Sequence, residues 1–315
     1  NQANFPDGLD GLVRTVRRFK EAGFRVGFHF LAASIYPPDP YLTPVPDPRL
    51  VKGATAKLAA AVDPQSDFIP TTAAPDAFPA EDGGYTGDGT VLQIGDELIQ
   101  YAERSLQAPF GFNGCRRGHL GTRAAAHRSG DAVAHLVRAY GYHMFDMDTT
   151  LLDEVATNLA RVANACEIDM LYFDGSERLQ GDHWYYNARL HKAYYDKLKN
   201  KDVLLQASSF SHYSWHLLAR TASADGHGDL KGYLDERSPW FVSFGRSGMP
   251  LDIGWYYGYD PNATPDMFEY VLGATLGYDA SMSFQVSVGA AQKHPFTGDI
   301  LDMIRRYERL RLSGR

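Results

Sequence analysis

The segment IDMLYFDGSE, residues 168–177, carries an apolar run into two acids, Asp174 and Glu177. A carboxyl group at the end of a buried strand can attack an electrophile, relay a proton, or cap a turn with a following glycine such as Gly175. Other groups able to do chemistry stand beside similar apolar runs: His29 in GFHF, Asp146 in MFDMD, Gln206 ahead of Ser208 and Ser209, Arg246 in FGRSG, Asp252 in PLDIGW and Gln285 in SFQVS. Aromatic residues cluster near them, with Trp184 before two tyrosines, Trp215 close to Tyr213, and Trp255 before another tyrosine pair. Two carboxyl groups facing each other across an aromatic-lined pocket suit cleavage of a glycosidic bond, one attacking or activating water and the other protonating the leaving oxygen. The aromatic faces would supply an apolar platform for a sugar ring.

Each residue also has a plainer reading. Glu177 could be a surface loop residue, Asp252 a loop aspartate and His29 a satisfied core histidine between its apolar neighbours. Asp148 or Thr149 would cap the helix over 150–165, and Asp148 is simplest as such an N-cap, which leaves Asp146 with the better claim on a pocket. Arg246 could clamp an acidic substituent or pair with Asp252. Among the eleven histidines no HxxxH or HxH pair stands at a strand end with a third ligand, so no metal site and no cofactor are expected. Asp225, His227 and Asp229 in SADGHGDLKG could hold a cation, although a solvated loop is the simpler account.

The elements that would position these groups follow an α/β rhythm. Residues 7–22 space Leu9, Leu12, Val13, Val16 and Phe19 as one face of a helix that Gly23 ends, and FRVGFHFLA reads as a buried strand. After YPPDPYLTPVPDP the chain turns to Gly, Thr and short alternating runs, predicting an inserted, mostly β subdomain over 37–137 that opens with a short helix at 50–62. From 138 the rhythm resumes, with strands RAYGYHMFDM, IDMLYF, DVLLQAS, WFVSFG and ASMSFQVSV alternating with helices over 150–165, 184–199, 212–221, 264–275 and 298–312. Six strands alternating with helices, and no Gly-rich nucleotide-binding turn, predict a (β/α)8 barrel built from 1–36 and 138–315 with one or two strands missing at its N-terminus. In such a barrel the C-terminal strand ends form the active face, and Asp174 falls there.

Composition narrows the partners. A net charge of -7 without a Lys/Arg run argues against nucleic acid, and no apolar run reaches the length of a membrane span. The first residue is Asn rather than Met, so a removed signal or larger N-terminal segment is expected, and with it a secreted or periplasmic protein, the cytoplasm left open. Cys115 and Cys166 form no disulfide framework and read as buried free thiols.

The stretch NFPDGLDGLVRTVRRFKEAGFRVGFHF is similar to the segment of the α-galactosidase clan that reads FPDG, helix, strand, and Tyr172-Phe173-Asp174 resembles that clan's K-Y-D nucleophile motif. The same strand resembles the LWFDG motif of α-L-fucosidases, and both resemblances make Asp174 a nucleophile. In the clan the acid/base aspartate lies in a GDI-like context, to which PLDIGW around Asp252 is similar. GCRRGHLGTRAAAHRSGDAV resembles a hairpin motif of small phage-tail and carbohydrate-associated β modules. The resemblances imply a retaining α-glycoside hydrolase acting on an oligo- or polysaccharide. Asp174 would attack, and Asp252 or else Glu177 would serve as acid/base. His29, Asp146, Gln206, Arg246 and Gln285 would bind the substrate, with Trp184, Trp215 and Trp255 stacking on it. The alternatives are a non-catalytic carbohydrate-binding barrel, a polysaccharide lyase and a metal-dependent hydrolase.

Overall fold

The computed structural model describes residues 4–37, 39–221, 230–246, 252–256 and 262–313. The chain is a mixed α/β protein that forms two compact units, one made of residues 1–30, 163–177 and 199–315, the other of 31–162 and 178–198.

In the first unit, the apolar spacing after Asp7 produces the helix Gly8–Glu21, closed by Gly23 at φ +87. The strand Gly27–Leu31 follows and lies beside Met170–Asp174, then Leu204–Ala207, then Arg220–Thr221. Gly27 permits close approach, since a Cβ there would meet the Met170 Cβ at 3.0 Å. Asp169 fastens the start of these strands: its carboxylate accepts the Val26 amide at 2.8 Å and the Lys20 ammonium at 3.3 Å, and these two hold its pKa below the usual carboxylate range. Met170–Phe173 pair in parallel register with Leu204–Ala207, which continue in parallel to Arg220–Thr221. Leu171, Phe173, Leu205 and Ala207 are fully buried, as a parallel strand covered on both faces requires.

A separate parallel pair, Asp252–Tyr256 with Ser281–Phe284, sets Asp252 opposite Ser281. It accompanies the helices Leu230–Arg246, Pro265–Tyr278 and Thr297–Ser313. Leu234, Phe241, Val271 and Ala280 form one buried cluster, and Ala263, Phe268 and Ile300 another. Among the described residues, no strand pairing joins this pair to the four-stranded sheet or closes a barrel.

Several expected elements differ. WFVSFG is not a strand but the end of Leu230–Arg246, because Leu234 and Phe241, two turns apart, bury the same helical face. RAYGYHMFDM is not one strand: Arg138–Ala139 turns back on Tyr142–Met144 through Tyr140 at φ +53 and Gly141 at φ +77, the two-residue turn that antiparallel hairpins favour. Residues 212–221 make a short 3-10 turn, His212–His216, and then the strand Arg220–Thr221. The helix expected over 50–62 is the strand Lys52–Lys57, whose alternating exposure suits the edge of a sheet.

That strand belongs to the second unit, whose main sheet is antiparallel in the order Lys52–Lys57, Ala132–Leu136, Val91–Ile94, Glu97–Gln100. Gly95 at φ +56 opens the tight turn between the last two strands. Leu58, Ile69, Leu92, Ile99, Tyr101 and Phe112 form much of its core. Glu97, wholly buried, accepts Nε and Nη2 of Arg117 at 2.9 and 2.7 Å, the Gly118 amide at 2.9 Å and the Ala125 amide at 3.1 Å, and its Oε2 lies 2.7 Å from His127 Nε2. The GCRRGHLGTRAAAH segment thus folds around one carboxylate.

Candidate functional site

Asp174 is the last residue of Met170–Asp174, and a short turn follows with Gly175 at φ +67, a left-handed conformation open to glycine. His29, midway along the neighbouring strand, places Nε2 2.9 Å from Asp174 Oδ2, and its ring lies 5.2 Å from that of Tyr172. The Asp174 side chain is 28 % exposed, so its carboxylate at this strand end is reached by solvent. Sequence spacing alone does not bring His29 to Asp174; the pairing of two strands far apart in the chain does.

The turn is laced to the end of the next strand. The Ser208 amide donates to Phe173 O at 3.1 Å, the Ser176 amide to Ser208 Oγ at 3.1 Å, and the Ser209 amide to Ser176 Oγ at 3.1 Å. Ser208 Oγ also donates to Glu177 Oε2. Ser176 is fully buried and Ser209 nearly so, so the lacing is part of the core and fixes where Glu177 starts.

Asp252 has a different setting. It begins a strand instead of following one, because the segment expected as its preceding strand is helical. Only 1 % exposed, it accepts Gln206 Nε2 at 3.0 Å, Ser281 Oγ at 2.6 Å and Ser283 Oγ at 3.0 Å. Gln206 is itself buried, so this predicted ligand-binding group is turned to a neighbouring carboxylate. Ser281 and Ser283 were missed by sequence reasoning. Their signal is two serines at i and i+2 on one face of an otherwise apolar strand, ASMSF.

Arg246 is exposed in the last turn of Leu230–Arg246, and Gln285 is exposed just past Ser281–Phe284. Trp215 lies in the His212–His216 turn and Trp255 in Asp252–Tyr256, with side chains outside the described set. Asp146 and Trp184 belong to the second unit. Asp146 Oδ1 accepts Gln180 Nε2 at 2.9 Å and the Asp148 amide at 2.8 Å. Trp184 is exposed at the start of His183–Lys197, a helix capped by Asp182. Asp148 does not cap the helix Leu151–Cys166 that follows it: Thr149 Oγ1 takes the Leu151 amide, while Tyr186 and Arg189 bind the Asp148 carboxylate and hold its pKa below the usual range.

Among the described residues, no group of three or more His, Cys, Asp or Glu side chains is arranged to hold a metal ion, and Asp225, His227 and Asp229 lie outside those residues. Cys115 and Cys166 are buried and free. No described helix is long and apolar enough to cross a membrane.

No protein-family model and no curated protein matches the chain. Among solved structures, one described as a "Family GH13_31 enzyme" aligns with 94 % of this chain at a TM-score of 0.47 and 10 % identity. The chain spans 58 % of that structure's length, and a likeness at this level fixes neither the fold nor the activity of this protein.

Proposed function

We propose that this chain is the catalytic part of a glycoside hydrolase that cleaves an α-glycosidic bond in an oligo- or polysaccharide with retention of configuration. The observation that carries the reading is Asp174, held by His29 at 2.9 Å at the end of a buried strand, with Glu177 three residues on in the same laced turn. The parallel pairings and the helices between them support a (β/α)8-type barrel as the scaffold, with the β-rich stretch over 37–137 inserted into it. The motifs resembling α-galactosidases and α-fucosidases agree on Asp174.

In this reading Asp174 attacks the anomeric carbon as the glycosidic bond breaks, while Glu177 gives its proton to the leaving oxygen. Water then attacks the same carbon, returning a proton to Glu177 and freeing Asp174. Here Glu177 takes precedence over Asp252. The Asp252 side chain is buried and engaged by Gln206, Ser281 and Ser283, whereas Glu177 is exposed, where a leaving oxygen could reach it. Asp252 instead supports Gln206 and the strand pair. The exposed Arg246 and Gln285 are the remaining candidates in this unit for contacts with hydroxyls or an acidic substituent.

The test is release of nitrophenol from a panel of nitrophenyl α-glycosides, including galactoside, fucoside and glucoside. The wild type should cleave at least one, and Asp174→Asn should lose at least roughly a thousandfold in kcat while keeping its thermal stability. Undiminished cleavage by Asp174→Asn would remove Asp174 from the mechanism. Binding of α-glucans or galactans without cleavage of any glycoside would favour the carbohydrate-binding alternative.

A further inference from the structure

We propose that the second unit carries a glycan-binding surface of its own, in which Tyr36, Tyr85, Tyr140 and Tyr142 stack on the sugar rings of an uncharged polysaccharide. All four residues lie within that unit, and their role does not depend on the chemistry at Asp174. Tyr36 and Tyr85 are 60 % and 62 % exposed, far more than a tyrosine needs for packing. The ring centroids of Tyr85 and Tyr140 lie 5.3 Å apart, and those of Tyr36 and Tyr142 5.8 Å apart. Tyr140 and Tyr142 flank Gly141, where a Cβ would lie 4.0 Å from the Tyr85 ring, so both pairs gather at one hairpin turn.

The loop that presents Tyr85 is held from three sides. Arg138 Nη2 donates to Asp82 O at 3.0 Å and Gly84 O at 2.8 Å, and Arg178 Nη1 donates to Thr86 O at 2.6 Å. His135 Nε2 lies 3.2 Å from Asp88 O and 3.1 Å from Gly89 O. A Cβ on Gly83 would meet Gly87 Cα at 2.7 Å, so the loop closes on itself at glycines. An exposed ring on a loop fixed in advance gives up little freedom when a ligand arrives. Tyr140 adds an independent sign. It adopts φ +53 in a turn where Gly141 also has positive φ, a place that favours Asn-Gly. A bulky ring there goes against local preference, and such departures gather where function requires the side chain.

The chemistry of the surface selects the ligand. A tyrosine offers an apolar face and a hydroxyl, and a pyranose offers an apolar C–H face with hydroxyls along its edge. The two cations at the cluster are matched in place. Arg138 pairs with Asp82 at 2.7 Å, and Arg178, 6.0 Å from the centre of the Tyr140 ring, pairs with Asp88 at 2.7 Å. With both charges offset, a phosphate or uronate chain finds little to bind, and an uncharged glycan fits.

The experiment is affinity electrophoresis of the full chain, carrying Asp174→Asn so that no glycan is cut, in gels containing soluble starch, dextran, galactomannan, xylan or the anionic alginate. At least one neutral polysaccharide should retard the protein, and alginate should not. In that background Tyr36→Ala and Tyr85→Ala should each raise the apparent Kd at least roughly tenfold, with Tyr85→Phe within about threefold. Tyr140→Asn, which installs the favoured turn pair, should weaken retardation while the melting temperature holds or rises. Retardation by no neutral polysaccharide, retardation by alginate alone, or retardation unchanged in both Tyr36→Ala and Tyr85→Ala would overturn the surface. So would a dimer in sedimentation that Tyr85→Ala dissociates, since the tyrosines would then serve a second copy. Should Tyr85→Ala fail to fold, Tyr36→Ala decides in the same way. A wild type inert toward every nitrophenyl glycoside would sink the hydrolase reading and leave these outcomes standing.

Discussion

Replacement of Asp252 tests whether its carboxylate serves the structure or the chemistry. Asp252 is 1 % exposed, with Gln206 Nε2 and Ser283 Oγ on Oδ2 and Ser281 Oγ on Oδ1. Asn keeps the shape and one oxygen. With that oxygen in the place of Oδ2, Gln206 and Ser283 stay bonded, and the new amide meets the Ser281 hydroxyl, which can rotate to accept it. Only the charge assistance is lost, about 1–2 kcal/mol. Ala removes the acceptor of the buried Gln206 amide and of the half-buried Ser281 and Ser283 hydroxyls at roughly 1–3 kcal/mol each, and allowing for shared relaxation the total is about 4 kcal/mol. With a urea slope of about 2 kcal/mol/M for a unit of this size, the unfolding midpoint should fall by about 2 M for Asp252→Ala and by less than about 1 M for Asp252→Asn. Urea titration followed by tryptophan fluorescence reads both. Asp252→Ala within about 1 kcal/mol of wild type would refute the three-donor account. Loss of all glycoside cleavage in a stable Asp252→Asn would return Asp252 to the catalytic pair.

The second unit offers two further tests. Burial works against the Glu97 carboxylate, but Arg117, the Gly118 amide, His127 and the Ala125 amide outweigh it and leave its pKa below the usual glutamate value. Its contribution to stability is therefore present above about pH 4.5 and is lost as pH falls through the lower folded value. Glu97→Gln, which leaves the Arg117 charge uncompensated, should cost about 3–5 kcal/mol and expose the stretch 115–128 to limited proteolysis; an intact, protease-resistant variant would contradict this. Burial pushes the His143 pKa down to about 4, with Nδ1 enclosed without a hydrogen-bond partner among the described residues. The unfolded chain takes up that proton near pH 6.5, so stability from neutral His143 is full above pH 6.5 and falls by about 2 kcal/mol by pH 5. His143→Leu should flatten the pH dependence of the melting temperature between pH 5 and 6.5; an unchanged slope would assign it to other groups.

Much of the fold was legible because its cause is local. The face formed by Leu9, Leu12, Val13, Val16 and Phe19 is written in consecutive residues, and so are the apolar run before Asp174 and the Pro that opens Pro265–Tyr278. WFVSFG misled because an apolar run of six satisfies a buried strand and a buried helix turn alike, and the choice lay in Leu234, outside the run. RAYGYHMFDM misled because Tyr140 in the left-handed region gives no warning in sequence, unlike a glycine pair.

The sequence by itself determined which residues could act and which of them end a buried strand: Asp174 and Glu177 were readable from IDMLYFDGSE, because a strand's burial and its polar stop depend on neighbours along the chain. Tertiary structure alone decided their partners. His29 reaches Asp174 across paired strands, Ser208 reaches Glu177 from a second strand end, and Asp252 is enclosed by donors from two other strands. A hydrogen bond acts over about 3 Å and carries no periodicity, so residues far apart in the chain leave no pattern that announces it.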